Sequence, residues 1–229
     1  MDTTSASRPT DVLPVVREDD RGVDVSSAPR TTGEDVVAPP RGVGGVLLVG
    51  GLVGAVVSLL LLLDKLALLA DPAFVPSCSI DPVLSCGTIM RTAQASVLGF
   101  PNPVIGVATF PVVAALGALV LGRVELPRWT WLALQFGATA GLGFVLWLMG
   151  ESLLVIHALC PYCMVVWAAV IPLSWYTTVH NMAAGHLGGG PVAAALVRRH
   201  GLVLAAAYLA VVVAVVAAFP SYWASVVGL

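Results

Sequence analysis

The chain has 229 residues, of which 58% are hydrophobic and 10% are charged, and its formal net charge is −2. A soluble globular domain carries about 25% charged residues, so this composition excludes a soluble protein and indicates several membrane spans. No basic stripe of the kind that binds nucleic acid is present, and we expect no nucleic-acid partner.

The first 42 residues differ in composition from the rest of the chain. They hold five arginines and eight acidic residues among many Ser, Thr and Pro residues, without an apolar period. A secretory signal would be basic and then promptly apolar, which this segment is not. We therefore expect residues 1–42 to form a disordered cytoplasmic tail.

Five apolar segments follow, each long enough to cross a bilayer of about 30 Å. The predicted spans are residues 43–63, 103–121, 129–149, 153–176 and 202–219. Residues 71–102 form a polar loop, in which residues 88–98 lack Gly and Pro and are expected to form a short helix. The predicted fold is an all-α membrane protein: a four-helix core at 43–180 with the loop over it, then a linker and fifth span at 181–229.

The basic residues predict how the protein is oriented in its membrane. With the N-terminus inside, nine of the eleven Lys and Arg residues are cytoplasmic, and only Lys65 and Arg91 lie outside. Cytoplasmic segments carry an excess of Lys and Arg. We therefore expect a cytoplasmic N-terminus in a plasma membrane, with the 71–102 loop and the C-terminus on the outer face.

The four cysteines form two pairs. Cys78 and Cys86 lie in the outer loop, where disulfides persist, and Cys160 and Cys163 form Cys-Pro-Tyr-Cys in the predicted fourth span. That second pair is expected about 10 Å below the surface, at about 1.5 Å per helical residue. The first thiol of a C-x-x-C motif often has a lowered pKa, which favours exchange. Two such dithiols can pass an electron pair from one to the other.

Other functions are also open to four cysteines in a membrane protein. They include a zinc site, two inert disulfides, a transporter and a structural scaffold with five spans. The cysteine spacing is a poor tetrahedral zinc template, and the middle of each span lacks the charges that transporters carry. No dinucleotide, haem or iron–sulfur motif is present. A quinone dissolved in the bilayer is therefore the best candidate to accept the electrons.

The residues after Cys86 resemble the vitamin K epoxide reductase family. That family has a loop cysteine pair, a Ser or Thr six residues after the second cysteine, an Ala at nine, a Gly, and then Pro-Asn before the second core helix. A C-x-x-C in a later helix completes the pattern. The resemblance covers about residues 45–180, and the matching positions here are Thr92, Ala95, Gly99, Pro101 and Asn102.

The resemblance implies a four-helix bundle around a quinone of the menaquinone or ubiquinone type. It implies that Cys78 exchanges with a separate thioredoxin-like partner and that Cys86 relays to Cys160. Asn102 is expected to donate to the quinone or to cap a helix, and Thr92 to lie near the cysteines or bond its own backbone.

Two positions depart from the family pattern: Leu98 stands where an aromatic is common, and Trp167 where many members have a Tyr that hydrogen-bonds one end of the quinone. By this resemblance, Asn102, Thr92 and Trp167 are the candidate quinone-binding residues. The expected function is oxidation of the partner for disulfide formation outside the cytoplasm. The alternative enzyme is a quinone or quinone-epoxide reductase whose main product is quinol.

Overall fold

A computed structural model of the chain describes residues 41–227, with side chains as far as Ser225. The expected disorder of residues 1–40 lies outside the described residues. The long helices are α1 (Arg41–Ala70), α3 (Pro103–Leu121), α4 (Arg128–Gly150, continued as a π-helix over Glu151–Ile156), α5 (Pro161–Ala183) and α7 (His200–Ala218). The short helices are α2 (Cys86–Met90), a 3₁₀ helix (Ala93–Ser96), α6 (Pro191–Arg198) and α8 (Pro220–Val227).

Within residues 41–227, five helices are long and apolar enough to cross a membrane, namely α1, α3, α4 with its π-helical end, α5 and α7. The prediction of an all-α membrane protein with five spans is confirmed. The first span is longer than expected, because α1 begins at Arg41 and continues past the charged pair Asp64-Lys65 to Ala70.

Helices α1 and α3 pack with their backbones in close contact because glycines line the interface. A Cβ added to Gly51 would lie 2.5 Å from the Ala114 backbone nitrogen, and one added to Gly54 would lie 2.5 Å from the Phe110 ring. Small residues let membrane helices approach closely. Van der Waals packing then holds the helices together, because the hydrophobic effect does not drive association between helices in apolar lipid.

The other helices extend this pair into a bundle. Helix α1 also packs against α5, and α5 packs against α4. Helix α7 lies at the periphery and has no buried residue, so lipid is its expected environment. The main buried core contains apolar residues from α1, α3, α4 and α5, including Leu47, Phe110, Trp131, Val145, Trp167 and Leu173.

The predicted start of the fourth span is wrong. Residues 151–156 continue α4, and the helix that carries Cys163 begins only at Pro161. Between them, His157 has a left-handed backbone (φ 55°) and the chain turns. Proline lacks an N–H and clashes with a preceding helical turn, so Pro161 is suited to a first helical position and not to an interior one. Cys160 therefore lies just before the first turn of α5 and not seven residues inside a helix.

The loop over the bundle contains two short helices where one was expected. Helix α2 begins at Cys86, where the Ser85 hydroxyl caps it by accepting from Thr88 N at 3.2 Å. The chain turns at Arg91 and Thr92, and the 3₁₀ helix Ala93–Ser96 then leads to α3. The first part of this loop makes a parallel bridge between Leu84 and Leu159, which joins it to the turn before α5.

Helix α8 lies at the same end of the bundle as this loop. The Tyr222 hydroxyl donates to Asp81 Oδ2 at 2.9 Å, and Phe219 beside it is buried in the main core. This contact joins the end of the described chain to the segment between Cys78 and Cys86.

Candidate redox site

Three of the four cysteine sulfurs lie together at the loop end of the bundle. Cys78 and Cys86 form a disulfide, whereas Cys160 and Cys163 are free. The Cys160 thiol lies 3.1 Å from Cys86 Sγ, and the sulfurs of Cys78, Cys86 and Cys160 all lie within 4.8 Å of one another. A zinc site would need thiolates, and the joined pair does not supply them. The arrangement instead suits exchange between Cys86 and Cys160.

Backbone pairing holds the loop cysteines against the buried pair. Ser85 N donates to Leu159 O at 2.8 Å, and Leu159 N donates to Val83 O at 2.7 Å. These bonds flank the two sulfurs in question, since Ser85 precedes Cys86 and Leu159 precedes Cys160. Main-chain hydrogen bonds therefore hold the Cys86 sulfur close to the Cys160 thiol.

An aspartate turn fixes the loop between Cys78 and Cys86. Asp81 Oδ1 accepts from Val83 N at 2.8 Å and from Leu84 N at 2.7 Å. The hydrogen bond from Leu84, with those from Tyr222 and Val83, holds the pKa of Asp81 below its usual range. The ionised carboxylate thus organises the strand-like segment that pairs with Leu159.

Cys160 occupies the capping position at the start of α5. Its Sγ accepts a hydrogen bond from Cys163 N at 3.2 Å, and its backbone is extended. Cys160 is buried while Cys163 is only partly so. The Cys160 sulfur therefore faces the loop disulfide, and Cys163 lies about one helical turn further along α5.

A largely apolar cavity of about 190 Å³ lies inside the bundle next to this pair. Helices α1, α3, α4 and α5 all contribute to its wall, and Cys160 and Cys163 are both part of it. Two aromatic rings on the wall come from Phe110 and Phe144, and a third from Trp167. The cavity offers a flat apolar ligand direct access to a free dithiol.

Asn102 lies on the cavity wall but does not cap α3 with its side chain. Its Nδ2 donates to Gln94 O at 2.6 Å, and its Oδ1 accepts from Val97 N at 3.2 Å. Asn102 holds the N-cap position of α3 without a side-chain capping bond, and the amide instead fastens the 3₁₀ helix to the start of α3. One Nδ2 hydrogen is left over for a ligand, because an amide nitrogen carries two.

The structure separates the other two predicted quinone contacts. Thr92 is not among the cavity-lining residues, and its hydroxyl donates to Ile89 O at 2.8 Å, as its alternative role predicts. Trp167 is buried on the cavity wall, and its indole Nε1 donates no hydrogen bond to any described residue. Of the two, only Trp167 has access to a ligand in the cavity.

Two charged residues that the sequence analysis did not assign to the site line the cavity. Lys65 is buried on the cavity wall, and its Nζ donates to Met90 O at the end of α2. Its position was readable from spacing, because Ser58, Leu61, Lys65 and Leu68 share one face of α1. Glu151 also lines the cavity and accepts from Gln94 Nε2 at 3.2 Å.

The geometry agrees with one comparison against known proteins. A search of curated proteins finds no match to this chain. The model of the vitamin K epoxide reductase family matches residues 45–178, which include all four cysteines and the whole cavity wall. The chain therefore belongs to the vitamin K epoxide reductase family, whose members are membrane oxidoreductases that work with a quinone.

Proposed function

We propose that this protein oxidises a separate thioredoxin-like dithiol protein and passes the electrons to a quinone in the membrane. The outer face of a plasma membrane is the proposed place of reaction, and disulfide formation there is the proposed outcome. The observation that carries the proposal is the continuous row of sulfurs from the loop disulfide, through the 3.1 Å contact between Cys86 and Cys160, to the cavity wall.

The first exchange begins at the loop. A thiolate of the partner attacks Cys78 Sγ, a partner–Cys78 disulfide forms, and Cys86 leaves as a thiolate. When Cys160 and Cys163 are joined, the Cys86 thiolate then attacks Cys160, and Cys163 leaves with the electron pair. The short distance between Cys86 and Cys160 supports this order, since no loop movement is needed to bring the two sulfurs together.

The second exchange restores the loop disulfide. The second thiolate of the partner attacks the partner's sulfur in the mixed disulfide with Cys78. The partner is released with its own disulfide, and Cys78 is freed as a thiolate. That thiolate attacks Cys86, and Cys160 leaves. The products are a joined Cys78–Cys86 pair and a reduced Cys160–Cys163 pair, which is the pattern of bonds in the structure.

The cavity residues fit a quinone. A quinone supplies an acceptor for two electrons and two protons, and a flat apolar ring suits a wall with the rings of Phe110, Phe144 and Trp167. Asn102 Nδ2 and Trp167 Nε1 are the donors that would orient its oxygens. The apolar wall keeps water from the free dithiol, so electrons do not leave by other routes.

Quinol formation by the purified protein tests the proposal. The protein in lipid nanodiscs would receive a reduced thioredoxin-like protein and either menaquinone or ubiquinone analogues, with quinol followed by absorbance. We expect quinol and oxidised partner in equal amounts, and loss of both products in Cys86→Ser and in Cys163→Ser.

Two outcomes would contradict the proposal. One is quinol formation that persists without Cys78 and Cys86 when the protein partner is the donor. The other is turnover with quinone epoxide but not with quinone, which would favour the epoxide reductase alternative. Wild-type protein with a small dithiol serves as the control for an intact buried pair.

A further inference from the structure

The two sulfurs of the loop disulfide have different polar neighbours. Asp64 Oδ2, near the end of α1, lies 4.0 Å from Cys78 Sγ. The Ser77 hydroxyl donates to the same carboxylate oxygen at 3.3 Å and lies 3.2 Å from the Tyr162 hydroxyl. The carboxylate is thus held in place beside one sulfur by the residue that precedes it.

Cys86 has a thiol for its neighbour and no carboxylate. It is fully buried, and the group nearest its sulfur is the Cys160 thiol at 3.1 Å. Among the described residues, no acidic side chain lies within hydrogen-bond distance of Cys86 Sγ.

This asymmetry matters because exchange breaks a disulfide in one of two ways. The attacked sulfur stays bonded to the incoming thiol, and the other sulfur takes the electron pair and leaves as a thiolate. A nearby like charge disfavours a thiolate, and a leaving group that is better stabilised departs faster. The carboxylate therefore opposes departure of Cys78 as a thiolate, which leaves Cys86 as the better leaving group.

We propose that Asp64 directs how the loop disulfide opens, so that incoming thiols bond to Cys78 and Cys86 departs as the thiolate that faces Cys160. An incoming thiolate attacks Cys78 and the Cys78–Cys86 bond breaks. The products are a mixed disulfide on Cys78 and a thiolate on Cys86. This inference deepens the proposed function and rests on it for its biological meaning. The same carboxylate repels anionic thiols, so the favoured substrates are thiols with neutral or basic surroundings.

Solvent exposure alone does not predict that incoming thiols bond to Cys78. Cys78 is 4% exposed and Cys86 is 0% exposed, so both sulfurs are shielded to a similar degree. An isosteric change at Asp64 leaves that shielding in place and removes only the charge. The charge effect and the access effect can therefore be measured separately.

The test uses purified protein with Cys160→Ser and Cys163→Ser, so that only the loop pair reacts. Cysteamine is added, the reaction is stopped with acid, and peptide mass spectrometry locates the adduct. We expect the adduct mostly on Cys78, and we expect Asp64→Asn to shift the ratio of Cys78 to Cys86 adducts toward Cys86 by about fivefold or more, which is the effect of two charges about 4 Å apart when screened as strongly as in bulk water. Asp71→Asn is the matched control, because the Asp71 side chain accepts only from Ala73 N among the described residues, and it should leave the ratio unchanged.

A second measurement compares the rates at which a cationic and an anionic thiol open the disulfide, and it responds to charge and not to structure. With Asp64 present, cysteamine should open the disulfide faster than 2-mercaptoethanesulfonate, and salt should reduce the difference. In Asp64→Asn the difference should largely vanish. An unchanged adduct ratio in Asp64→Asn, or an unchanged preference between the two thiols, would overturn the inference. Neither assay contains a quinone or a protein partner, so both outcomes are independent of whether the proposed function is correct.

Discussion

At the scale of single residues, the site is built from groups that already have hydrogen-bond partners. Asn102 bonds Gln94 O and Val97 N, Asp81 bonds two backbone N–H groups, and Thr92 bonds Ile89 O. Such groups hold the loop before any ligand arrives. The sequence motif located Asn102 and Thr92 but not Asp81, and it did not distinguish a group that touches the cavity from one that only shapes the loop.

Asn102 should matter both for the loop and for quinone reduction. Asn102→Ala removes the bonds to Gln94 and Val97, so we expect quinol formation to fall about 10-fold or more if the lost interactions are worth about 1.4 kcal/mol. Asn102→Asp should be at least as damaging, because a carboxylate cannot donate to Gln94 O and places negative charge beside the cavity. Exchange at Cys78, followed with cysteamine, should change less. Full quinol formation by the Asp variant would remove Asn102 from the site.

The Asp81–Tyr222 contact predicts a dependence of stability on pH. The pKa of Asp81 is lowered from its ordinary 3.8, so its stabilising effect is complete above that pH and is lost as the pH falls through the lowered value. The hydrogen bond to Asp81 raises the pKa of Tyr222 above its ordinary 10.0, so its effect is complete below pH 10.0 and is lost at higher pH.

Tyr222→Phe should therefore lower the melting temperature in detergent at pH 7. The difference between this variant and the parent should shrink above pH 10 and below pH 3.8, where one partner changes its charge. Tyr176→Phe is the control, because the Tyr176 ring packs on His200 and its hydroxyl makes no hydrogen bond to a described residue. A constant difference across the whole pH range would contradict the prediction.

At the scale of elements, hydropathy predicted the five membrane helices because each has a long apolar run. It did not predict the break at residues 157–160, because the sequence stays apolar on both sides of the turn. Pro161 was the available signal, since proline fits a first helical position. The pairing of Leu84 with Leu159 had no signal in the sequence, because a single backbone bridge between distant segments leaves no periodic pattern.

The close contact between α1 and α3 predicts which glycines tolerate a methyl group. Gly51→Ala should destabilise the protein by about 1–3 kcal/mol, because the added Cβ would meet the Ala114 backbone. Gly45→Ala, on the same helix, should be tolerated, since nothing lies within 4 Å of its added Cβ. Thermal unfolding in detergent measures both variants. Equal stability of the two would mean that α1 and α3 do not pack at this distance.

At the scale of the whole molecule, the fold gathers the loop, the turn before α5 and helix α8 at one end of the bundle. The segment around α6 lies at the other end, where the side chain of Arg128 donates to His186 O. The redox site therefore faces one side of the membrane. The distribution of Lys and Arg predicts that this is the outer side.

Labelling in intact cells tests that orientation. With the four native cysteines replaced by serine, Ile80→Cys and Val192→Cys each provide one thiol at an exposed position, since these side chains are 71% and 70% exposed. A membrane-impermeant maleimide should label Ile80→Cys in intact cells and Val192→Cys only after lysis. The opposite pattern would place the loop cysteines in the cytoplasm and contradict the proposed disulfide-forming role.

The central claim is that electrons pass from the loop pair to the buried pair through Cys86 and Cys160. Its most direct test is to isolate Cys163→Ser protein from cells under acid quench and to map its disulfides by mass spectrometry. In this variant the Cys160 thiolate attacks the adjacent Cys86, and Cys78 leaves as a thiolate, so we predict an accumulated Cys86–Cys160 disulfide, and its absence when Cys86→Ser is added. Accumulation of a Cys78–Cys160 disulfide in its place would contradict the relay order.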